Sequence, residues 1–427
     1  MLERSPTCLM SPPPIRIAVI GGGVSACSFV YGLRDAILSK SVDVSIFEMG
    51  RGAGGRAATR GTRDKPSLRL DHGAPAFSAH TPTFAALCDS LVEFNALRRH
   101  TDQDGSFGML KVGGVFEAEA TPPPQRYLPA HGKGMSAMCD ALLRGDSGGN
   151  AMTFNGFGTM VTRVEAATSG ADFGGWHLAS KKGDDLGLFD WLVVTSTGIA
   201  HPRWRTTFGG EPPLVEAAAA LGDRHLDATL ASLAPLTSKP VIACMLAYET
   251  DAAAAWARVP FFKATVEADD TLSRIVVQRI DHDLTSVVLH STHEFALARA
   301  SVYGATSTAA RVAGAATDKE MEAQVLEAML VAAEKRLEGL VDPSAIRAIS
   351  WGPHLHRWGA AFPDAPLLPA SKAMVPSARV AFCGDYVDGG DGRAGTLEGA
   401  ALSGLRAAEA LTDALGRGGG GAGCAAM

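Results

Sequence analysis

Four stretches of this 427-residue chain hold residue types at spacings that could do chemistry. In GGGVSA, Gly21, Gly23 and Ala26 stand at the G-x-G-x-x-G/A positions, with Val24 and Ser25 between them. Gly21 suits a tight turn, Gly23 lets backbone N–H groups approach a pyrophosphate, and Ala26 lets a helix pack closely on a strand. Glu48 follows where a carboxylate can accept hydrogen bonds from ribose hydroxyls. RGAGGRAATR, residues 51–60, sets Gly54 and Gly55 between arginines. Gly54 and Gly55 let the backbone pass near a planar ring, and Arg56 and Arg60 suit phosphates or a ring edge. A solvated basic loop is the competing reading. Residues 384–404, GDYVDGGDGRAGTLEGAALSG, hold seven glycines and four acidic residues, more backbone freedom than an ordinary loop needs.

The fourth stretch is a scatter of late histidines and aromatics. His290 as a neutral imidazole suits an amide or phosphate partner, against the alternative of a satisfied histidine inside a sheet. Arg357 and Trp358 suit a negatively charged or planar ligand through a guanidinium and a ring, against an aromatic packed in the core. His354 and His356, and Asp281, His282 and Asp283, form HxH and DHD patterns. They lack the spacing of a zinc site and no cysteine accompanies them, so they read as solvated loops and no metal site is expected.

These residues need elements to position them. IRIAVI reads as a buried strand, Ser25 to Leu38 as an amphipathic helix, and VDVSIFE as a second strand ending at Glu48. Strand, glycine turn, helix and acid in register make a βαβ dinucleotide-binding unit; alone, it leaves FAD and NAD open. Residues 240–249, 274–280 and 286–292 read as strands without long helices between them, which predicts an antiparallel sheet. Residues 317–340 read as a helix with a Thr317–Glu320 capping box. Its apolar stripe of Leu326, Leu330, Ala333, Leu337 and Leu340 faces a core. The alanine-rich stretch EAAAALGDRHLDATLASLA reads as a surface-facing helix.

The ordered set GGGVSA, Glu48, GGRAATR and DHGAPAF resembles the N-terminal pattern of the flavin amine oxidase superfamily, nearest to the renalases and renalase-like oxidoreductases. RYLPAHGKGMSAMCDALL, the VTRVEA and GWHLAS pair, FDWLVVTST, SKPVIACMLAYE, LHSTHEF, HRWGAAFP and the closing CGDYVDGG…LEGAALSG resemble later family landmarks. The likeness spans about Ile15 to Leu411. It implies an α/β fold: a discontinuous Rossmann-type FAD-binding domain with an α+β substrate domain on an antiparallel sheet. The implied FAD-binding segments are 15–80, 128–204 and 374–414; the implied substrate domain is 81–127 and 205–373. It implies cofactor contacts at Gly21, Gly23, Val24, Ser25, Ala26, Glu48, Gly55, Arg56, Asp71, His72, Gly73, Val164, Gly384, Asp385, Leu397 and Glu398. His290 falls on a family histidine. The family's Gln-Tyr is replaced here by Pro75-Ala76, where the family approaches flavin or substrate.

The resemblance implies non-covalent FAD that takes a hydride from a small reduced substrate of dihydronicotinamide type and passes electrons to O2, releasing H2O2. Amine oxidation or a desaturase-like reaction is the alternative within enzymes. A flavin-binding scaffold or sensor without turnover is the alternative outside them. The late glycine stretch favours a flavin over NAD. It would bring Asp385 towards a ribityl chain and pyrophosphate. It would also start a helix at Leu397 whose N-terminus faces the ring where negative charge builds on reduction.

Composition bounds the rest. A chain with 46% hydrophobic and 20% charged residues is long enough for two or three domains. A net charge of −6 without a basic stripe argues against nucleic acid as a partner. Seven scattered cysteines, none in a CxxC, read as a reduced, intracellular and cytoplasmic chain. No apolar run reaches membrane-span length. Residues 1–14 and 415–427 are expected as disordered tails, and Cys424-Ala-Ala-Met427 fits a C-a-a-X prenylation signal.

Overall fold

A computed structural model describes residues 13–123, 125–144, 156–169, 172–304, 307, 310, 314 and 318–419. Two large sheets organise them. The first has five strands in the order Val42–Phe47, Ile15–Ile20, Trp191–Val194, Val380–Phe382 and Met374–Val375. The first four are parallel, in registers such as Ile17 with Val44 and Trp191, and Val193 with Ala381. The last pairs antiparallel.

Near-continuous apolar runs form these strands because both faces are buried. Ile17, Val19, Val44, Ile46 and Val193 pack with the helices Val24–Gly32 and Leu397–Gly419. Ala18, Ile20, Phe47, Leu192 and Val194 pack beneath a three-stranded sheet, Val161–Ser169, Asp172–Ser180 and Asp185–Phe189. The first and last helices approach closely because both contribute small residues. A Cβ on Gly404 would lie 2.2 Å from the Ser25 carbonyl oxygen, and one on Gly32 would lie 2.7 Å from Ala408.

The second sheet has seven strands, ordered Trp351–Asp364, Thr237–Glu249, Leu284–Ser291, Leu272–Arg279, Phe261–Val266, Ser106–Leu110 and Phe116–Ala118. Its long strands are antiparallel, as expected, but Phe261–Val266 and Ser106–Leu110 run parallel, so the sheet is mixed. One face, carrying Ile242, Cys244, Leu246, Val287 and Leu289, packs on the helices Thr250–Ala257 and Lys319–Arg336. The other face, with Ala243, Met245, Val276 and Val288, packs on Leu68, Leu70 and Leu128, next to the dinucleotide-type sheet's loops.

Local differences from the sequence reading have physical causes. The helix expected over 317–340 is Lys319–Arg336; its N-cap is Asp318, which accepts from the Glu320 and Met321 N–H groups, and Thr317 lies outside the described residues. The chain turns after Leu337 with Gly339 in the left-handed region. The alanine-rich stretch makes two helices, Pro213–Leu221 and Arg224–Leu233, divided by a left-handed Gly222 and capped by Asp223. Both lie at the surface with one face inward: Leu214, Ala217, Leu226, Leu230 and Leu233 are buried, whereas Glu216, Ala219, Ala220, His225 and Asp227 are exposed. The last helix runs to Gly419, so residues 415–419 are helical rather than tail, while 420–427, with Cys424, lie outside the described residues. Cys27, Cys88, Cys139, Cys244 and Cys383 are free and buried. Among the described residues no helix is long and apolar enough to cross a membrane.

Candidate functional site

The Ile15–Ile20 strand delivers the chain into a turn at Gly21, which takes a positive φ of 107° and whose Cβ would lie 2.5 Å from Thr195 Oγ1. Gly23 caps the first helix without a side-chain bond, and a Cβ there would meet nothing within 4 Å. Open space therefore lies before a helix start whose first N–H groups have no side-chain cap. Val24, Ser25 and Ala26 are buried in that helix's first turn. The second glycine pair crosses the first: the Gly54 N–H donates to the Gly22 carbonyl at 2.7 Å, and a Cβ on Gly55 would lie 3.1 Å from Gly23 Cα.

Glu48 stands beside this crossing. Its two carboxylate oxygens accept from Gly22 N at 2.8 Å and Gly50 N at 2.5 Å. Desolvation lifts its carboxyl above the ordinary range, opposed by those two backbone bonds. Each oxygen keeps a lone pair for a further donor. An open helix N-terminus, two stacked glycine turns and a carboxylate on their rim fit a nucleotide's pyrophosphate and ribose.

Arg56 and Asp385 do not point separately at such a ligand, as expected, but at each other. Arg56 Nη1 and Nη2 donate to the two Asp385 oxygens at 2.6 and 2.5 Å, and Nη1 also donates to the Ala361 carbonyl at 2.7 Å. This bidentate pair ties the early glycine loop to the late one. The Gly384 N–H is held by Ser403 Oγ at 3.1 Å in the last helix. Glu398 is likewise spent within the protein: its buried carboxylate accepts from Thr81 N at 2.8 Å and Thr81 Oγ1 at 2.7 Å, and from His80 N. At the start of the last helix the Glu398 carboxylate is thus consumed, and Thr396 Oγ1 caps the helix by accepting from the Gly399 N–H at 3.0 Å. Val164, expected at the cofactor, pairs with Leu178 and buries its side chain in the core beneath the five-stranded sheet.

The Asp71–Gly73 segment joins the two sheets. Asp71 is buried and accepts from Thr59 Oγ1 at 2.6 Å, Met135 N at 2.8 Å and Gln278 Nε2 at 3.1 Å. Burial raises its carboxyl to about 6, against those hydrogen bonds. It is a junction between loops and the second sheet, not an open ligand. A Cβ on Gly73 would lie 2.1 Å from the Arg56 carbonyl oxygen, so this segment lies directly against the Arg56 loop.

His72 packs against the second sheet. Its carbonyl accepts from His290 Nε2 at 2.9 Å and Trp358 Nε1 at 3.3 Å. The carbonyl partner requires the His290 proton on Nε2. His290, expected to touch substrate, is instead buried with that donor consumed, and it positions the His72 backbone. The His72 ring stacks on Trp358 with centroids 5.1 Å apart and meets His356 edge-on at 5.0 Å. Burial lowers the His72 imidazole to about 4 and holds His356 well below its usual range, so both rings are neutral at pH 7. His72 Nδ1 is buried without a partner among the described residues.

Strand geometry separates residues that adjacent numbers seemed to join. His356 pairs with Ala243 and Trp358 with Val241, whereas Arg357 pairs with Ile242, which belongs to the opposite face. Arg357 and Trp358 therefore do not form one anchor. His354 and His356 lie in this strand and not in solvated loops, on the face where the His356 ring meets His72; Asp281–Asp283 is an exposed turn between strands. Pro75 is buried and Ala76 packs against the second sheet's apolar face. The spacing His354-x-His356-x-Trp358 is the signal that strand alternation offered for this ring cluster and that motif reading passed over.

A family model described as an NAD(P)-binding Rossmann-like domain matches residues 19–91. No curated protein matches the chain. Among solved structures, putrescine oxidase bound to putrescine is similar with a TM-score of 0.58 and 13% identity, covering 94% of this chain and 100% of that one. A putative protoporphyrinogen oxidase from Exiguobacterium sp. 255-15 is similar with a TM-score of 0.54 and 12% identity, covering 93% and 98%. At these identities the likeness is one of fold.

Proposed function

We propose that this chain is an FAD-dependent oxidoreductase of renalase-like type, holding FAD non-covalently and oxidising a small dihydronicotinamide-type substrate at the expense of O2. The observation that carries this reading is the meeting of the early and late glycine turns through Arg56 and Asp385, with the first and last helices packed side by side behind them. A nicotinamide-type βαβ unit needs only the first turn; a second turn leading into a helix lengthens the cradle beyond one nucleotide. The named oxidases of similar fold support it. The domain division 15–80, 128–204 and 374–414 against 81–127 and 205–373 belongs to the same proposal, supported by which segments supply each sheet.

In this reading the first helix's N–H groups and the Gly21–Gly23 turn bind the pyrophosphate, and Glu48 accepts from the ribose. Leu397 and its neighbours present the last helix's N-terminus to the ring. FAD, if bound there, would supply the two-electron acceptor chemistry, with O2 and two protons as the final acceptors to give H2O2. The His72–Trp358 stack orients a planar substrate and excludes water beside it. Because His72 and His356 are neutral, they neither repel the substrate nor take part as charged acids at pH 7.

The test is direct. The purified protein should be yellow, and it should bleach anaerobically with dihydronicotinamide isomers. Bleaching by amines alone would replace the substrate class with amines. A yellow protein that neither reduces would be a flavin-binding scaffold, and a colourless protein that cannot be reconstituted with FAD would overturn the reading altogether.

A further inference from the structure

The second sheet carries positive charge on the face it turns to the His72 segment. Direct register pairs run His356 with Ala243, Ala243 with His290, and His290 with Arg274. Directly opposed residues share a face, so Arg274 lies in the same row as the ring cluster, one strand beyond His290. Lys263 pairs with Val276 on that face, and its Nζ stands 5.7 Å from the Phe107 ring centre.

Neither cation has a carboxylate partner among the described residues. Arg274 Nε is shut off from solvent without a hydrogen-bond partner. Burial, with Arg274 and Arg126 close by, pushes the Lys263 ammonium down to about 7. The acid whose charge acts on Lys263, Glu119, is committed elsewhere: it pairs with Arg126 at 2.7 Å. Partly buried cations without counter-charge are costly unless a ligand supplies it. A protonated amine brought to this face would meet the Arg274 guanidinium and a lysine that is still partly protonated at pH 7.

The geometry points to Arg274 and Lys263 as the seat of an anionic group on the substrate, a carboxylate or a phosphate, with the planar part of the same molecule extending towards the His72–Trp358 rings. This rests on the flavoenzyme reading and narrows it: the substrate is a planar anion rather than a free amine. His72 Nδ1 adds an unpartnered polar atom at the ring end.

Isothermal titration calorimetry on the full chain, with its flavin content read from visible absorption, tests this. The probes are benzoate, phenyl phosphate and benzylammonium. Benzoate or phenyl phosphate should bind and benzylammonium should not; which of the two binds more tightly tells carboxylate from phosphate. Arg274→Gln and Lys263→Gln should each weaken the anion by about tenfold or more, and Arg274→Lys should restore it to within a few-fold. Anion affinity unchanged from wild type in both Gln variants, binding of benzylammonium alone, or no binding by any probe to a yellow protein would overturn the proposal. A colourless protein that refuses FAD but still binds the anion through Arg274 would overturn the flavin reading and leave this one standing.

Discussion

Arg56 and Asp385, 329 positions apart, are joined by two hydrogen bonds of 2.6 and 2.5 Å, and the Asp385 side chain is only 7% exposed. This pair holds the two glycine turns of the candidate site against one another. Arg56→Met should leave a buried carboxylate unpaired and cost about 1–3 kcal/mol, below the figure for a fully buried pair because Arg56 is 38% exposed. Urea unfolding measures the loss. The double variant Arg56→Met/Asp385→Leu should be less destabilised than the two single losses summed, since neither charge is then stranded.

Two glycines separate stability from ligand binding. Gly73→Ala drives a Cβ onto the Arg56 carbonyl oxygen and should cost about 2 kcal/mol or more. Gly23→Ala meets only open space and should cost about 0.5–1 kcal/mol as a poorer helix cap. Yet its methyl enters the room before the helix start, so FAD affinity should fall by about tenfold or more. Flavin retention on gel filtration alongside thermal melts would show the two effects parting. Loss of stability without loss of flavin in Gly23→Ala would refute the assignment of that space.

His290 and Trp358 act together on one carbonyl. His290→Phe removes the shorter bond, 2.9 Å, and should destabilise by about 1–3 kcal/mol while freeing the His72 backbone. Trp358→Phe keeps an aromatic face for the His72 ring but drops the 3.3 Å donor, and should cost less. If either variant left both melting and substrate KM unchanged, the positioning role would fall.

Asp71 predicts a pH effect with a definite sign. Its carboxyl titrates at about 6 when folded, above the ordinary 3.8. Between those values the folded state keeps a proton that the unfolded chain has lost, so unfolding free energy falls as pH rises from about 4 to about 6, by on the order of 3 kcal/mol. His72 works oppositely: its imidazole is lowered to about 4, so its share of stability grows as pH rises through that value towards 6.5. The contrast between wild type and Asp71→Asn isolates the carboxylate. Asp71→Asn should be relatively more stable at pH 7 than at pH 4.5, measured by urea midpoints; the reverse trend would exclude a raised carboxyl.

The first glycine turn and its βαβ frame were legible in the chain because their constraints are local. A turn that needs a left-handed Gly21, a helix that needs Ala26 against its strand and an acid at the end of the next strand are all set within about 30 residues. The buried strands were legible for the same reason: IAVI (Ile17–Ile20), WLVV and VAF are apolar on both faces. The second sheet's antiparallel core followed from its Val- and Leu-rich runs without intervening helices, whereas its one parallel pair joins distant segments that no local pattern links.

What the amino-acid sequence determined by itself was therefore the repertoire: a dinucleotide-type glycine turn, the strands of two sheets, and a second glycine-rich segment near the end. Tertiary structure alone decided how side chains were spent. Arg56 and Asp385 neutralise each other, Glu398 caps the turn into the Pro82–Glu93 helix, and His290 supports a backbone carbonyl, since each meets a partner more than 200 positions away. Strand alternation parted Arg357 from Trp358, and sheet register brought Arg274 beside His290. A polar side chain's role depends on which donor or acceptor burial leaves within reach, and that is settled only when remote segments pack.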